Sequence, residues 1–233
     1  MRIVRFGLPQ LALLALALVT TAVIGVDALG DEVRPKRLVE VSPGLYRSGQ
    51  ISPRLVRGVL EDLAIGKVIW MTHYDESRES HRVERAAIDE LGIERLHYPM
   101  RGDGTGKLSR YADAIAEVAE ARRAGMPVLV HCAAGARRSA AVISMYQLLV
   151  EGRDAALVYD ELDRFGKRSV ADSPLLPYLN ENMGSLAELL VERGVIARVP
   201  TPLPLLQPPA DNSLATRIAR FVRPDAPGSL PAL

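Results

Sequence analysis

Cys132 is the one cysteine of the chain, and it stands where a thiol can be made reactive. It follows Pro127-Val128-Leu129-Val130, a short apolar run that reads as a central strand, and precedes an apolar helix reaching about Val150. A turn between a strand and a helix N-terminus offers unpaired backbone N–H groups and a positive dipole end, which together bind an anion. Cysteines so placed can drop from about 8.5 to about 3.5–7.5. Arg138 lies six residues on and carries a planar fork of donors that matches phosphate oxygens. Gly135 permits backbone geometry that a Cβ would obstruct, and Ser139 places a hydroxyl near the sulfur. A lone cysteine is more often inert core than nucleophile; the Arg138 spacing and Gly135 turn that expectation round.

The run His131-Cys132-Ala133-Ala134-Gly135-Ala136-Arg137-Arg138-Ser139 fills every fixed position of His-Cys-x2-Gly-x2-Arg-Ser/Thr. That pattern is the signature of the cysteine-dependent protein-tyrosine phosphatase superfamily, which this chain resembles over roughly residues 33–190. The likeness is nearest to the small dual-specificity-like phosphatases, including bacterial ones with a Tyr-Arg-Ser-Gly-Gln segment, here Tyr46-Arg47-Ser48-Gly49-Gln50. The resemblance implies attack of Cys132 on phosphorus to form a phosphocysteine, splitting one difficult displacement into two. It implies that Arg138 and the backbone amides of Ala133, Ala134, Gly135, Ala136 and Arg137 bind the phosphate oxygens. Ser139 would help release the thiolate, and His131 would hold the loop and tune the sulfur. A general acid is implied on a loop before the signature. Asp103 fits, 29 residues upstream in Arg101-Gly102-Asp103-Gly104-Thr105-Gly106, whose glycines can permit closure; Asp113, placed in a helix, is the competitor. The Trp-Pro-Asp form of the larger tyrosine phosphatases is missing, so Asp103 rests on position alone.

The implied substrate is a phosphorylated protein or a small phosphorylated molecule, with no cofactor and no metal. Phosphoinositide or inositol-phosphate hydrolysis is the alternative, and positions 133, 134 and 136, all Ala where such relatives often have Lys, lean away from it. Sulfur transfer by a rhodanese-like loop is disfavoured by Ser139 and Gly135. A non-catalytic phosphate-recognising module is the reading from another class. Several nearby residues stay open. Arg47 is either a substrate contact or a surface salt bridge, and His73, Tyr74 and Asp75 either border the cleft or sit at an edge without a role. His81 and His97 lack ligand-like partners, Arg137 either favours acidic substrates or faces solvent, and the Glu79–Glu90 charge run reads as a solvated face.

The elements that must position this set alternate. Leu38–Tyr46 reads as one or two strands turning at Pro43-Gly44, and a helix starts at Ser52-Pro53 and ends at Gly66. Lys67–Met71 reads as a buried strand, Glu79–Leu91 as a helix closed by Gly92, Ile93–Met100 as a strand, and Leu108–Ala124 as a helix. After the signature come helical stretches at Asp154–Phe165 and Leu175–Arg193. This alternation predicts one α/β domain with a largely parallel central sheet flanked by helices.

Composition bounds the rest. Of 233 residues 48% are hydrophobic, which supports a buried core, and 29 basic against 28 acidic side chains argue against a nucleic-acid binder. A single Cys excludes an internal disulfide framework or a multi-Cys zinc site. Residues 1–30 read as a signal peptide or membrane anchor: Arg2 and Arg5 precede the uncharged stretch of residues 6–26, which would contact the membrane if uncleaved. The basic head before Asp27, Asp31 and Glu32 favours a domain on the extracytoplasmic side, exported or anchored. Residues 33–197 form the domain. Residues 198–233 read as a Pro-rich, mostly disordered tail, since Pro200 onward holds eight of the sixteen prolines. Within the tail, SLATRIARFV has helical spacing suited to a membrane, a partner or its own domain.

Overall fold

The computed structural model describes residues 34–164 and 169–208. The expectations for residues 1–30, and for the SLATRIARFV stretch of the tail, lie outside them. Among the described residues there are five strands: β1 (Val39–Ser42), β2 (Leu45–Ser48), β3 (Lys67–Trp70), β4 (Glu94–His97) and β5 (Val128–His131). They form one sheet in the order β1-β2-β5-β3-β4. Only the β1–β2 hairpin is antiparallel; β2 with β5, β5 with β3, and β3 with β4 run parallel. The expected α/β domain with a largely parallel sheet is what the chain forms.

Side chains alternate across that sheet. Ile69, Val128 and Val130 pack into a large core under α3 (Leu108–Arg123), α4 (Arg138–Leu149), α5 (Ala155–Arg164), α6 (Leu175–Glu181) and α7 (Met183–Glu192). Val68 and Leu129 face the other way, onto α1 (Val56–Asp62) and α2 (Glu79–Leu91). Both faces are covered, which is why Val68–Trp70 of β3 and Val128–Val130 of β5 are apolar on both sides rather than alternating. Helix α4 is buried at every position from Ser139 to Leu149; its sequence is mostly apolar, with Ser139, Ser144 and Gln147 as the buried polar residues.

The parallel register brings the strand ends level. Ser48 pairs with His131, His131 with Trp70, and Trp70 with His97. Four strands therefore finish in one row, and everything just beyond it shares one edge, where ligands of open α/β sheets bind.

Some boundaries differ from the sequence expectation. Strand β4 ends at His97, although Tyr98 N–H still reaches Trp70 O at 3.0 Å and Met100 N–H reaches Met71 O at 3.2 Å. Ser52 opens a turn through its carbonyl, which accepts from Leu55 and Val56, and the helix starts only at Val56. The stretch 175–193 is two helices that meet at Asn182. Past residue 197 the chain still touches the core. Leu206 is buried in the main core, and its backbone exchanges two hydrogen bonds with the Asn180 side chain, at 2.8 and 2.9 Å. Proline-rich chain can pack without a ladder when one apolar side chain and an amide fix it, and here Leu206 is the point that docks.

Candidate active site

Beyond the ends of β2 and β5 the chain 132–137 forms a tight loop before α4. Three of its carbonyls are each taken by a donor from the N-terminal part of the domain. The Gln50 N–H reaches Ala133 O at 3.2 Å, Arg37 Nη1 reaches Ala134 O at 2.6 Å, and Arg47 Nη1 reaches Gly135 O at 2.7 Å. In a trans peptide the next N–H points opposite to the carbonyl. The amides of Ala134, Gly135 and Ala136 are thereby aimed to the other side. That of Gly135 donates to Cys132 Sγ at 3.2 Å. Gly135 holds φ +69°, and a Cβ there would lie 2.5 Å from Gly49 N. Both the conformation and the close approach of two backbones exclude any larger residue.

Cys132 is 1% exposed and has Ser139 Oγ 3.5 Å from its sulfur. Burial is the largest influence on the thiol and pushes it up, yet the hydroxyl and N–H of Ser139, the Arg138 charge and the Gly135 N–H together outweigh burial. The net shift is downward, towards thiolate. The sulfur opens onto a cavity of about 280 Å³ walled by Arg37, Ala134, Ala136, Arg137 and Arg138. Arg137 thus lies on the cavity wall.

Arg47 is neither of the things its type suggested. It is buried beneath the loop, and burial lowers it to about 10 while the Cys132 thiolate opposes that shift. His131 is wholly buried with Nε2 3.2 Å from Glu84 Oε1, but the two are no ion pair. Burial, then the charges of His97, His81 and Arg138, lower His131 to about 3. Burial raises Glu84 to about 8 despite the donor Gln50 Nε2 at 2.5 Å on its other oxygen. A neutral imidazole beside a protonated carboxyl satisfies a dry site better than two charges. The Glu79–Glu90 run is therefore not wholly a solvated face, since Glu84 and His81 turn inward.

Asp103 lies on the loop between β4 and α3. Its Oδ1 accepts from Thr105 N–H at 2.9 Å and Thr105 Oγ1 at 2.8 Å. Partial burial raises its carboxyl, and the Thr105 donors with Arg101 outweigh this, so it sits below the ordinary range. Gly102, not Asp103, lines the cavity. The loop is tied down: Tyr111 OH donates to Gly104 O, and Tyr178 OH to Gly106 O at 2.6 Å. Asp113 is engaged elsewhere, accepting from Arg193 Nε at 2.9 Å and Nη2 at 2.8 Å. His73 lines a neighbouring, larger cavity, while Tyr74 packs edge-on against Trp70 and Asp75 accepts from Ser77. Among the described residues no group of His, Cys, Asp and Glu is arranged to hold a metal ion.

Sequence reasoning did not single out Arg37, Gln50 or Glu84. Gln50 had a signal, as the last residue of the Tyr46–Gln50 segment; the other two had none.

The model of the dual specificity phosphatase catalytic domain matches residues 57–181, more than half of the chain. This chain belongs to that family. The phosphatase family likeness extends to a curated relative, dual specificity protein phosphatase OPG106 of vaccinia virus (strain Copenhagen), 31% identical over 78 residues. That match covers 33% of this chain and 46% of the viral protein, about half of its length. In fold, the domain is similar to P. aeruginosa TpbA, with TM-score 0.54 and 22% identity over 68% of this chain and 91% of TpbA. It is also similar to the catalytic core of the PP-IP phosphatase SIW14 from S. cerevisiae, with TM-score 0.55 and 18% identity over 73% and 98% of the two chains. Likeness at such identities speaks for the shared phosphatase fold.

Proposed function

We propose that the chain is a cysteine-dependent phosphatase that hydrolyses phosphomonoesters, phosphotyrosine or both protein ester types, through a phosphocysteine at Cys132. The observation that carries this reading is the sulfur at the floor of a cavity, with Gly135 N–H and Ser139 Oγ on it and Arg138 on the wall. In the first step a P–S bond forms as the P–O ester bond breaks, and the leaving oxygen takes a proton from a general acid. Asp103 is the residue proposed for that proton. To serve, its side chain has to leave Thr105 and turn into the cavity, whose wall includes the neighbouring Gly102. In the second step water attacks phosphorus and gives a proton to the Asp103 carboxylate left by the first step, the P–S bond breaks, and phosphate and thiolate are released, the sulfur charge received by Ser139 Oγ and Gly135 N–H. Arg138 and the inward amides of the loop stabilise the oxygens on phosphorus throughout, acting electrostatically without reorganising. Arg137, on the same wall, adds charge for the phosphate group. His131 takes no proton in this scheme; it stays neutral and buttresses the loop.

TpbA has been crystallised with phosphotyrosine, which favours the aryl ester. SIW14, a PP-IP phosphatase, supports inositol phosphates as a second reading, opposed by alanines at 133, 134 and 136. A non-catalytic binding module is the third, opposed by an intact Cys132–Arg138 pair. The test is turnover of phosphotyrosine, phosphoserine and inositol phosphates by the wild type and Cys132→Ser. Hydrolysis by the wild type and its loss in the variant are expected; a variant with full turnover sinks the mechanism. For location, residues 1–30 are proposed as anchor or export signal, and recovery of the chain in a soluble fraction with Met1 retained would refute both.

A further inference from the structure

Beside the cavity over Cys132 lies a second of about 960 Å³, and the two share Gly102 and Arg138 on their walls. Among the described residues three more cations line the larger one, Arg101, Lys107 and Arg110, against one acidic side chain, Glu181. In a chain whose net charge is +1 this is a strong local concentration. The basin is also built. Arg110 Nη1 donates to Pro99 O, and the Tyr178 hydroxyl donates to Gly106 O, so a cation and a ring of the wall are each held by backbone.

Resting on the phosphatase reading above, we propose that this basin receives an acidic side chain next to the phosphorylated residue of a peptide substrate. A phosphate in the small cavity and a carboxylate in the large one would then flank Arg138 from two sides. The wall decides between a peptide and a sugar polyphosphate. Besides the cations it carries Pro174, Pro177 and Tyr178, an apolar surface that peptide side chains cover and a ring of hydroxyls and phosphates does not. The cations of the larger cavity other than Arg138 come from the loop after β4 and the start of α3, while Arg37 and Arg137 stay with the phosphate cavity. Selection of an acidic neighbour fits that second, separate set.

The experiment compares kcat/KM of the full chain for a small aryl phosphate, a phosphotyrosine peptide with Ala neighbours, the same peptide with Glu neighbours, and an inositol polyphosphate. About a fivefold preference for the Glu peptide is expected at low ionic strength, fading as salt screens exposed charges. Lys107→Glu, at an exposed position, should bring the Glu-to-Ala ratio to one or below. Equal kcat/KM for the two peptides in the wild type overturns the proposal while aryl phosphate turnover leaves the phosphatase reading standing. A preference for the inositol polyphosphate over both peptides overturns it as well. No turnover of any of the four removes the phosphatase reading itself.

Discussion

Arg47 places a buried guanidinium against one carbonyl oxygen, Gly135 O, and through it fixes the amide that follows. Burying a cation is expensive unless it is paired and hydrogen-bonded, and here the thiolate of Cys132 is part of the compensation. Arg47 is thus a positioning residue that acts on the sulfur through the loop. Arg47→Met keeps much of the volume and leaves Gly135 O without its charged donor, an interaction worth about 1.5–3 kcal/mol. The Cys132 pKa is expected to rise and kcat/KM to fall roughly 10–100-fold, with Arg47→Lys recovering part of both. Iodoacetamide alkylation rate against pH reads the thiol directly. An unchanged alkylation profile in Arg47→Met would make the residue a mere filler.

At the scale of elements, the loop after β4 carries the main tension in the site. As placed, Asp103 is held by Thr105 and lowered, the state of a carboxylate and not of a proton donor. A general acid matters most when the leaving group is a poor one. Asp103→Asn should therefore slow alkyl phosphates and phosphoserine far more than an activated nitrophenyl ester, measured as kcat across a leaving-group series. A uniform loss across that series would assign Asp103 to loop structure alone. The contrast with the signature loop also shows what a sequence makes readable. Cys132, Gly135, Arg138 and Ser139 lie within eight residues and need only one strand and one helix around them, so their relation is local. Glu84 lies on a helix whose charges gave no inward face, and only the position of α2 over the ends of β3 and β5 decides that it meets His131. Leu206 was masked by its prolines, which argued for solvated chain although one side chain and two hydrogen bonds to Asn180 suffice to dock it. The sheet order was open too, because strand pairing is set by contacts distant in sequence.

Over the whole molecule, Glu84 links the site to global stability. Its folded pKa, about 8, lies above that of an unfolded carboxyl, so folding favours the protonated form. The contribution is complete below about 4.5 and is lost as pH rises through 8. His131 runs the other way, its contribution being complete above the ordinary imidazole range and lost only in acid. Between about pH 6.5 and 8 Glu84 is therefore the group of this pair that changes. The Tm of the wild type should fall across that interval, and Glu84→Gln, neutral at every pH, should flatten the fall. Parallel slopes for the two proteins in thermal denaturation would contradict the buried protonated carboxyl.

The row of strand ends has an optical consequence. Trp70 is the only tryptophan of the chain, fully buried, and its ring lies 5.4 Å from that of His131, 5.0 Å from His81 and 4.8 Å from His97. A single indole fluorophore therefore sits one strand away from the nucleophile, in van der Waals reach of the imidazole that precedes it. The domain carries its own spectroscopic probe at the floor of the site, and its emission comes from that one place without any label being attached.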